Sequence, residues 1–362
     1  MSLHVDITHP FGDFTLKVAF EAPGGVTALF GRSGTGKTTV VNAVAGLLRP
    51  KAGRITLSGE VLFDAAAGIN LPLHKRRLGY VFQDGRLFPH MSARQNLCYG
   101  ARFAPTGASG PSTDEVCDLL GISALLERRP GALSGGEKQR VAIGRALLSC
   151  PRMLLMDEPL AALDSARKEE ILPYLERLRD HADIPLLYVS HSVPEVARLA
   201  TTVVVLEDGQ VARMGTAERV LSDPDMVRQI GVREAGAVLP ATLTRHHADG
   251  MSELAVSGGQ LFLPQMGLEP GTTTRVRVLA KDVMIAMDKP ARVSALNILP
   301  AEILALRGGD GPGVMVQLQC GDDRLLARIT RRSADALALV PGTRVHAVIK
   351  SVSIARTDVG TG

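Results

Sequence analysis

In the first part of the chain, apolar side chains cluster in short uninterrupted runs that are separated by polar, helix-like segments. Such runs predict strands buried on both faces of a sheet, and their alternation with helical segments predicts parallel pairing. The clearest runs span residues 26–30, 78–82, 153–156, 186–190 and 203–207. We therefore expect an α/β domain over residues 1–232, with a helical subdomain at about residues 87–150.

Two other regions alternate apolar and polar residues, which is typical of antiparallel strands with one buried face. The first is a hairpin over residues 3–20. The second is the C-terminal third of the chain, where the tripeptide LPA at residues 239–241 recurs at residues 299–301. This repeat predicts two related β-units, residues 233–291 and 292–356, in an all-β, OB-like barrel domain. Turn chemistry shared by chance would also give so short a match.

Directly after the first apolar run, residues 31–38 match the phosphate-binding pattern G-x-x-x-x-G-K-[ST] at every fixed position. Glycines let successive backbone N–H groups face a phosphate, and the N-terminus of the following helix, predicted over residues 37–47, adds partial positive charge. The lysine would reach the β- and γ-phosphates, and the threonine hydroxyl would ligate Mg²⁺. The predicted ATP-binding residues are Gly31, Arg32, Ser33, Gly34, Thr35, Gly36, Lys37 and Thr38. The alternative is an ordinary glycine-rich turn.

Composition narrows the class of protein. The 362 residues are 45% hydrophobic and 22% charged, which is typical of a globular chain. The net charge of +4 comes without a block of Lys and Arg, so we expect no nucleic-acid partner. Four scattered cysteines without a C-x-x-C spacing indicate neither a disulfide framework nor a zinc site, and fit a reducing cytoplasm. With no signal peptide and no apolar run of about 18 residues, we expect that the chain itself does not cross a membrane.

Polar residues directly follow three of the apolar runs, at the sheet edge where α/β proteins bind ligands. They are Gln83, the pair Asp157 and Glu158, and His191. Beside a phosphate loop, Asp157 can hold the hydration shell of Mg²⁺, and Glu158 can polarise a water for attack on the γ-phosphate. The alternatives are an exposed acidic turn for the carboxylates and structural roles for Gln83 and His191.

A second glycine-rich helix start lies at Ser134, Gly135, Gly136 and Glu137. Ser134 and Glu137 have the spacing of a capping box, which is the simpler explanation. The cap does not require the two glycines, and they leave the helix N-terminus open enough for a phosphate. Asp164, further along, could equally be the N-cap of the next helix.

In this order, the motifs resemble those of the ATP-binding-cassette (ABC) ATPases over about two thirds of the chain. The resemblance implies a head-to-tail homodimer in which ATP on one phosphate loop is covered by residues 134–137, the signature segment, of the other chain. It implies a catalytic carboxylate at Glu158, a γ-phosphate switch at His191, and an Mg²⁺ ligand and relay to a membrane partner at Gln83. It also places Asp164 in the D-loop of that family.

The C-terminal sequence resembles the small molybdate-binding domain of molybdate-sensing proteins and of the ATPase subunit of molybdate importers. The stretches that carry this resemblance, in both halves of the chain, are residues 80–90, 186–192, 294–297, 327–330 and 347–352. That family often has arginine where this chain has Leu296. Because a tetrahedral dianion needs several donors, Ser294, Lys350 and Ser351 with backbone N–H groups are the candidate oxyanion ligands.

Together, the resemblances imply the ATP-hydrolysing cytoplasmic subunit of a molybdate importer, with ATP and Mg²⁺ as cofactors. The homodimer would dock on two integral-membrane permease subunits at the cytoplasmic face of the inner membrane, and a periplasmic molybdate-binding protein would deliver substrate. One alternative is an importer ATPase of the same architecture for sulfate or a sugar. Another is a soluble ABC ATPase acting on DNA or ribosomes, against which the single cassette and the lack of sustained heptads count.

Overall fold

The computed structural model describes residues 2–12, 14–105, 107, 110–181, 184–309, 311–355 and 358–360. The chain divides into two units, Met1–Gly215 and Thr216–Gly362. The first predicted domain begins at Met1 and the last ends at Arg356, and both residues lie outside the described residues. Within those residues, every helix is too short or too polar to span a membrane.

The first unit contains both strands and helices. Its strands are β1 (Leu3–Phe11), β2 (Phe14–Ala22), β3 (Val26–Phe30), β4 (Ala52–Leu57), β5 (Glu60–Asp64), β6 (Ile69–Asn70), β7 (Leu78–Val81), β8 (Met153–Asp157), β9 (Leu186–Ser190), β10 (Thr202–Glu207) and β11 (Gln210–Thr216). Its helices are α1 (Lys37–Ala45), α2 (Leu73–Arg76), α3 (Ala93–Ala101), α4 (Thr113–Leu120), α5 (Gly135–Leu147), α6 (Ser165–His181) and α7 (Val193–Leu199).

The central sheet of the first unit has the strand order β11-β10-β3-β9-β8-β7. Neighbouring strands from β10 to β7 run parallel. β3 and β9 are buried at every residue and have the predicted bounds. The predicted α/β class is thus confirmed. Because parallel strands end at the same edge, the segments that follow β3, β9 and β8 lie side by side, and this edge positions the candidate site.

The N-terminal hairpin belongs to a second, antiparallel sheet with the order β2-β1-β4-β5-β6. Alternate residues of β1, namely Leu3, Val5 and Ile7, are buried, as the sequence pattern predicts. α1 ends at Ala45, two residues before its predicted end. The reason is Gly46, whose φ of 87° ends the helix in the left-handed conformation that glycine adopts without a steric cost.

Helices α3, α4 and α5 each begin with a capping box, in which a serine hydroxyl and a Gln or Glu side chain bond reciprocally to backbone N–H groups. Their apolar faces pack into one buried cluster with α6, through residues that include Leu97, Val116, Leu120, Ile143 and Ile171. α5 therefore presents its N-terminus from a fixed position.

The second unit is mainly antiparallel. Its strands are β12 (Gly236–His246), β13 (Met251–Val256), β14 (Gly259–Pro264), β15 (Thr273–Leu279), β16 (Val283–Ala286), β17 (Asn297–Gly308), β18 (Gly313–Cys320), β19 (Asp323–Thr330) and β20 (Arg344–Ile349). Its short helices are α8 (Ala217–Leu221), α9 (Val227–Ile230) and α10 (Arg331–Ala336). The sheets have the orders β14-β13-β12-β15 and β16-β20-β17-β18-β19.

The sequence repeat has a structural counterpart in the second unit. β12 pairs antiparallel with β15, and β17 pairs antiparallel with β20. Both sheets contribute to one hydrophobic core, which includes Leu239, Val276, Leu299 and Ala347. β16 lies within the first predicted β-unit but pairs with β20 of the second sheet, so the two units share a sheet as well as a core.

Candidate active site

The phosphate loop starts where β3 ends. Lys37, the first residue of α1, donates from Nζ to the carbonyl oxygens of Gly31 and Arg32, both at 2.8 Å, and so folds the loop around its own side chain. Gly36 has φ 98° and is the N-cap of α1, without a side-chain cap bond. The first N–H groups of α1 are therefore not used by the N-cap side chain, and a helix N-terminus of this kind favours an anion.

Two loop glycines are required by their surroundings. A Cβ atom at Gly36 would lie 2.5 Å from Cδ1 of Leu16, and one at Gly31 would overlap the carbonyl oxygen of Leu206. Both positions also have positive φ values that L-residues rarely adopt. The loop can therefore approach β2 and β10 closely only with glycine at these positions.

Thr38 and Asp157 come together although they are far apart in sequence. The Thr38 hydroxyl donates to Oδ1 of Asp157 at 3.1 Å, and the Tyr80 hydroxyl lies 3.4 Å from Oδ2. Burial raises the pKa of Asp157, which the bond from Thr38 partly offsets, and burial with the Asp157 charge raises the pKa of Tyr80. Oxygen donors of this kind suit Mg²⁺, which takes one or two carboxylates and completes its shell with water and phosphate.

Glu158 lies between Lys37 and His191. Its Oε1 is 3.9 Å from Nζ of Lys37, and its Oε2 is 3.3 Å from Nδ1 of His191. Burial lowers the pKa of Lys37, and the charges of Glu158 and Asp157 oppose that shift, so the two carboxylates favour the ammonium form. The backbone of Glu158 has φ 47°, and its N–H donates to the carbonyl oxygen of Val189 on β9. A non-glycine residue in this conformation is strained, which is common at functional sites.

Lys37, Thr38 and Glu158 border a pocket of about 260 Å³. Its lining residues are Phe11, Phe14, Ser33, Gly34, Gly36, Lys37, Thr38, Thr39 and Glu158. Phe11 and Phe14, at the end of the hairpin, are thus both near enough to the phosphate loop to be candidates for stacking on a base.

The signature segment does not border the phosphate-loop pocket. Gly135 lines a different pocket of about 420 Å³, together with Gln83 and Leu163. Ser134 and Glu137 form the capping box of α5, with bonds of 3.2 and 2.7 Å, and the bond from the Ser134 N–H lowers the pKa of Glu137. Within one chain, neither the signature segment nor Gln83 borders the phosphate-loop pocket.

Packing within the chain also explains why residues 135 and 136 are glycines. A Cβ at Gly135 would lie 2.8 Å from Leu163, and one at Gly136 would lie 3.0 Å from Ile171. Close packing against the start of α6 therefore favours glycine here independently of any phosphate. Asp164 precedes α6 and accepts from the backbone N–H of Arg167 at 2.9 Å, which is the N-cap geometry considered from the sequence.

In the second unit, the antiparallel register pairs Asn297 of β17 with Ile349 of β20. The segments that carry Ser294 and Lys350 therefore leave the sheet at the same end, and both side chains are exposed. Ser351 is buried and its hydroxyl lies 3.4 Å from Nδ2 of Asn297. Leu296, 56% exposed, lies in the same segment as Ser294.

Side chains that no motif predicted also support the site. The Tyr80 hydroxyl donates to Oδ1 of Asn42 on α1 and lies near Asp157. The sequence feature that could have indicated this role is a lone hydroxyl in an otherwise apolar strand. Arg76 is fully buried and donates to the carbonyl oxygens of Ala43 and Val44, in the last turn of α1. It lies in a basic stretch that looks exposed, so no sequence signal pointed to it.

A phosphate loop after β3 and a carboxylate pair at the end of β8, at the same edge of a parallel sheet, with a second glycine-rich helix start, define an ATP-binding-cassette ATPase. Residues 16–161 match the family described as ABC transporter, and residues 293–355 match the TOBE domain. The molybdenum import ATP-binding protein ModC of Mesorhizobium japonicum is 53% identical over 100% of this chain and 98% of its own length. ModC of Rhizobium etli is 52% identical over 98% of this chain and 99% of its own length. The chain belongs to the ModC family, which confirms the resemblance.

Solved structures agree with this assignment. CbiO1 from Clostridium perfringens, part of the ABC transporter complex cbiONQ, is 28% identical, with a TM-score of 0.53 over 62% of this chain and 92% of its own. A dimeric ATP-binding cassette in a post-hydrolysis state with ADP and Pi is 26% identical, with a TM-score of 0.50 over 60% of this chain and 99% of its own. The fold similarity is thus to ATP-binding cassettes.

Proposed function

We propose that this chain hydrolyses ATP to drive molybdate import. The observation that carries the proposal is the position of Glu158, 3.9 Å from the phosphate-loop lysine and 3.3 Å from His191. The full-length relatives carry the molybdenum import name, which favours molybdate over sulfate or a sugar. The lack of a basic block and the single cassette argue against a role on nucleic acid.

Each residue of the site has a role in this proposal. The loop N–H groups and the Lys37 ammonium bind the phosphates, and their preorganised positive potential favours the charge that develops at the γ-phosphate. Glu158 orients the attacking water and accepts its proton, while His191 contacts the γ-phosphate. Thr38 and Asp157, with Gln83 in the closed state, would hold Mg²⁺, which when bound neutralises phosphate charge.

The site is completed by a second copy of the chain. Gly135 of the signature segment borders a different pocket from the phosphate loop, which favours the covering of ATP by Ser134, Gly135 and Gly136 on another chain. A head-to-tail homodimer supplies that arrangement, and the similarity to a dimeric cassette supports it. In this dimer, ATP closes the two chains on each other and hydrolysis reopens them, with Asp164 near the interface.

Movement of the dimer would be transmitted to membrane subunits. We place the homodimer at the cytoplasmic face of the inner membrane, on two permease subunits that receive molybdate from a periplasmic binding protein. Gln83 is the proposed relay, since its pocket is shared with both the signature helix and the segment before α6.

The test of the ATPase mechanism is Glu158→Gln. Losing the general base should slow hydrolysis by roughly 10²- to 10⁴-fold while ATP binding persists. Steady-state hydrolysis and equilibrium ATP binding measure the two effects. Glu127→Gln, which changes an exposed carboxylate on the same unit, is the matched control and should be neutral. Unchanged turnover in Glu158→Gln would remove this residue from the mechanism.

The second unit is proposed to bind molybdate through Ser294, Lys350 and Ser351. Equilibrium dialysis of the full chain with labelled molybdate, and with excess sulfate as competitor, should detect selective binding. Lys350→Ala should weaken that binding by about tenfold, since a charge-assisted bond contributes about 1.5–3 kcal/mol. No binding by the unmodified chain would mean either that Leu296 has removed a necessary ligand or that the cargo is a different substrate, and would leave the ATPase assignment unaffected.

A further inference from the structure

Behind His191 lies a buried carboxylate that the proposed mechanism does not use. Glu195, on α7, is 4% exposed. Its Oε2 accepts from the hydroxyls of Ser190 at 2.7 Å and Tyr188 at 2.9 Å, and its Oε1 accepts from Nζ of Lys168 at 2.9 Å. A carboxylate this deeply buried is tolerated because its oxygens meet three donors, one of them charged.

The bonds of Glu195 bracket His191 along the chain. Ser190, which immediately precedes His191, donates to Glu195, and the same hydroxyl accepts from the backbone N–H of Ser192 at 3.0 Å. One serine hydroxyl thus holds the residues on both sides of the histidine. The His191 side chain itself is 56% exposed and contacts Glu158, so its direction depends on how the backbone beneath it is held.

The third donor comes from a different element. Lys168 lies in the first turn of α6, and its backbone N–H donates to the carbonyl oxygen of Asp164 at 3.0 Å. Glu195 therefore connects the start of α6, directly after the proposed D-loop, with the loop that carries His191. A shift of one segment would be transmitted to the other through a partly buried ion pair of 2.9 Å between Lys168 and Glu195.

We propose that Glu195 is a positioning residue for ATP hydrolysis: through Ser190 and Lys168 it sets the direction of His191 and links it to the D-loop. This inference rests on the proposed role of His191. Replacing Glu195 by Gln substitutes an NH₂ group for one oxygen, so a donor would face a hydroxyl or ammonium donor. His191 would then lose its fixed direction while the phosphate loop stays intact.

A double-mutant cycle tests the proposal. The full chain with Glu195→Gln, His191→Ala and both changes is compared by steady-state ATP hydrolysis and equilibrium ATP binding. Glu195→Gln alone should lower kcat by about tenfold or more, since small misplacements of catalytic groups have effects up to about 10²-fold, with ATP affinity unchanged. In the His191→Ala background it should change kcat less than about twofold, because its effect passes through the histidine.

Two further variants separate positioning from general stability. Glu169→Gln changes a carboxylate on α6, next to Lys168, that pairs with Arg198 of α7 at 3.0 Å, and should leave kcat unaltered. Ser190→Ala keeps the ion pair between Lys168 and Glu195 and should repeat the kcat loss, whereas Ser190→Thr retains the hydroxyl and should restore kcat. If Glu195→Gln does not fold, the comparison of Ser190→Ala with Ser190→Thr tests the positioning role instead.

The outcomes are distinct. An equal loss in both histidine backgrounds, or no loss in Glu195→Gln and Ser190→Ala, overturns the inference and leaves the role of His191 standing. If His191→Ala alone leaves kcat unchanged, the proposed role of the histidine fails, and the inference fails with it.

Discussion

The two glycine-rich helix starts, at α1 and α5, have the same backbone character but opposite electrostatic surroundings. At α1 the N-cap is a glycine without a side-chain cap bond, and Lys37 lies inside the loop. At α5 the cap is Ser134, and Glu137 adds a negative charge to the first turn. The N-terminus of α1 therefore offers uncapped N–H groups and a cation to a phosphate. At the N-terminus of α5, a side chain of the same chain already bonds to one of the N–H groups.

This difference shows why a glycine-rich helix start is not sufficient to define a phosphate site. We expect the site at α1 to bind phosphates within one chain, because the loop, the lysine and the carboxylates lie at one sheet edge. α5 has reduced positive potential, since Glu137 offsets part of its helix dipole. In the proposed dimer, α5 covers a phosphate that α1 already binds, and the first site supplies most of the binding free energy.

The strongest test of this division is Lys37→Ala. Removing the ammonium that bonds to the loop carbonyls of Gly31 and Arg32 should weaken ATP binding and slow hydrolysis. Turnover should fall roughly 10²- to 10³-fold, the range for one preorganised electrostatic group. Equilibrium ATP binding and hydrolysis assays measure both losses. Lys138→Ala, on α5, is the matched control and should preserve ATP binding by the single chain. Equal losses in the two variants would break the comparison.

A smaller effect is expected from adding one methyl group at each start. Gly36→Ala combines φ 98° with a contact to Leu16 at 2.5 Å, and should lower the free energy of unfolding by about 2–4 kcal/mol. Gly135→Ala meets the movable end of Leu163 in a helical position, and should stay within about 1 kcal/mol. Denaturant unfolding of both variants gives the comparison.

Gly135→Ala also has a functional readout. If residue 135 covers ATP on a second chain, hydrolysis should fall although stability is kept. Unimpaired hydrolysis together with unchanged stability would remove Gly135 from the proposed dimer site.

The smallest expected effect is a pH dependence at the cap of α5. The bond from the Ser134 N–H lowers the pKa of Glu137 below its ordinary value of 4.5. The carboxylate thus contributes stability that is fully present above pH 4.5 and is lost as the pH falls through the lowered pKa. Melting temperatures of the wild type and Glu137→Gln should keep a constant difference above about pH 5 and converge in more acidic buffer. A difference that stays constant down to about pH 3 would contradict this.

Much of the parallel sheet could be predicted because burial on both faces leaves a continuous apolar run in the sequence. β3 and β9 have the predicted bounds, and β7 ends at Val81, one residue before its predicted end. The residues after these strands could be placed at a common edge for the same reason. The strand order, which brings Glu158 next to His191, depends on crossover connections that leave no local pattern.

The supporting shell could not be predicted, because its contacts join residues that are distant in sequence. Tyr80 meets Asn42 only after β7 and α1 have packed, and Lys168 meets Glu195 only after α6 and α7 have packed. The exchange of β16 between the repeats of the second unit is likewise invisible in a pattern that describes each repeat separately. Local patterns thus predict which residues face a site, and packing decides which ones support it.

The backbone of Glu158 carries an evolutionary consequence. At φ 47°, glycine or asparagine would be less strained than glutamate, so selection for stability alone would replace the proposed general base. Its retention requires continued selection for turnover. On the proposed mechanism, a copy of this gene released from transport would therefore be one substitution away from a more stable and catalytically silent protein.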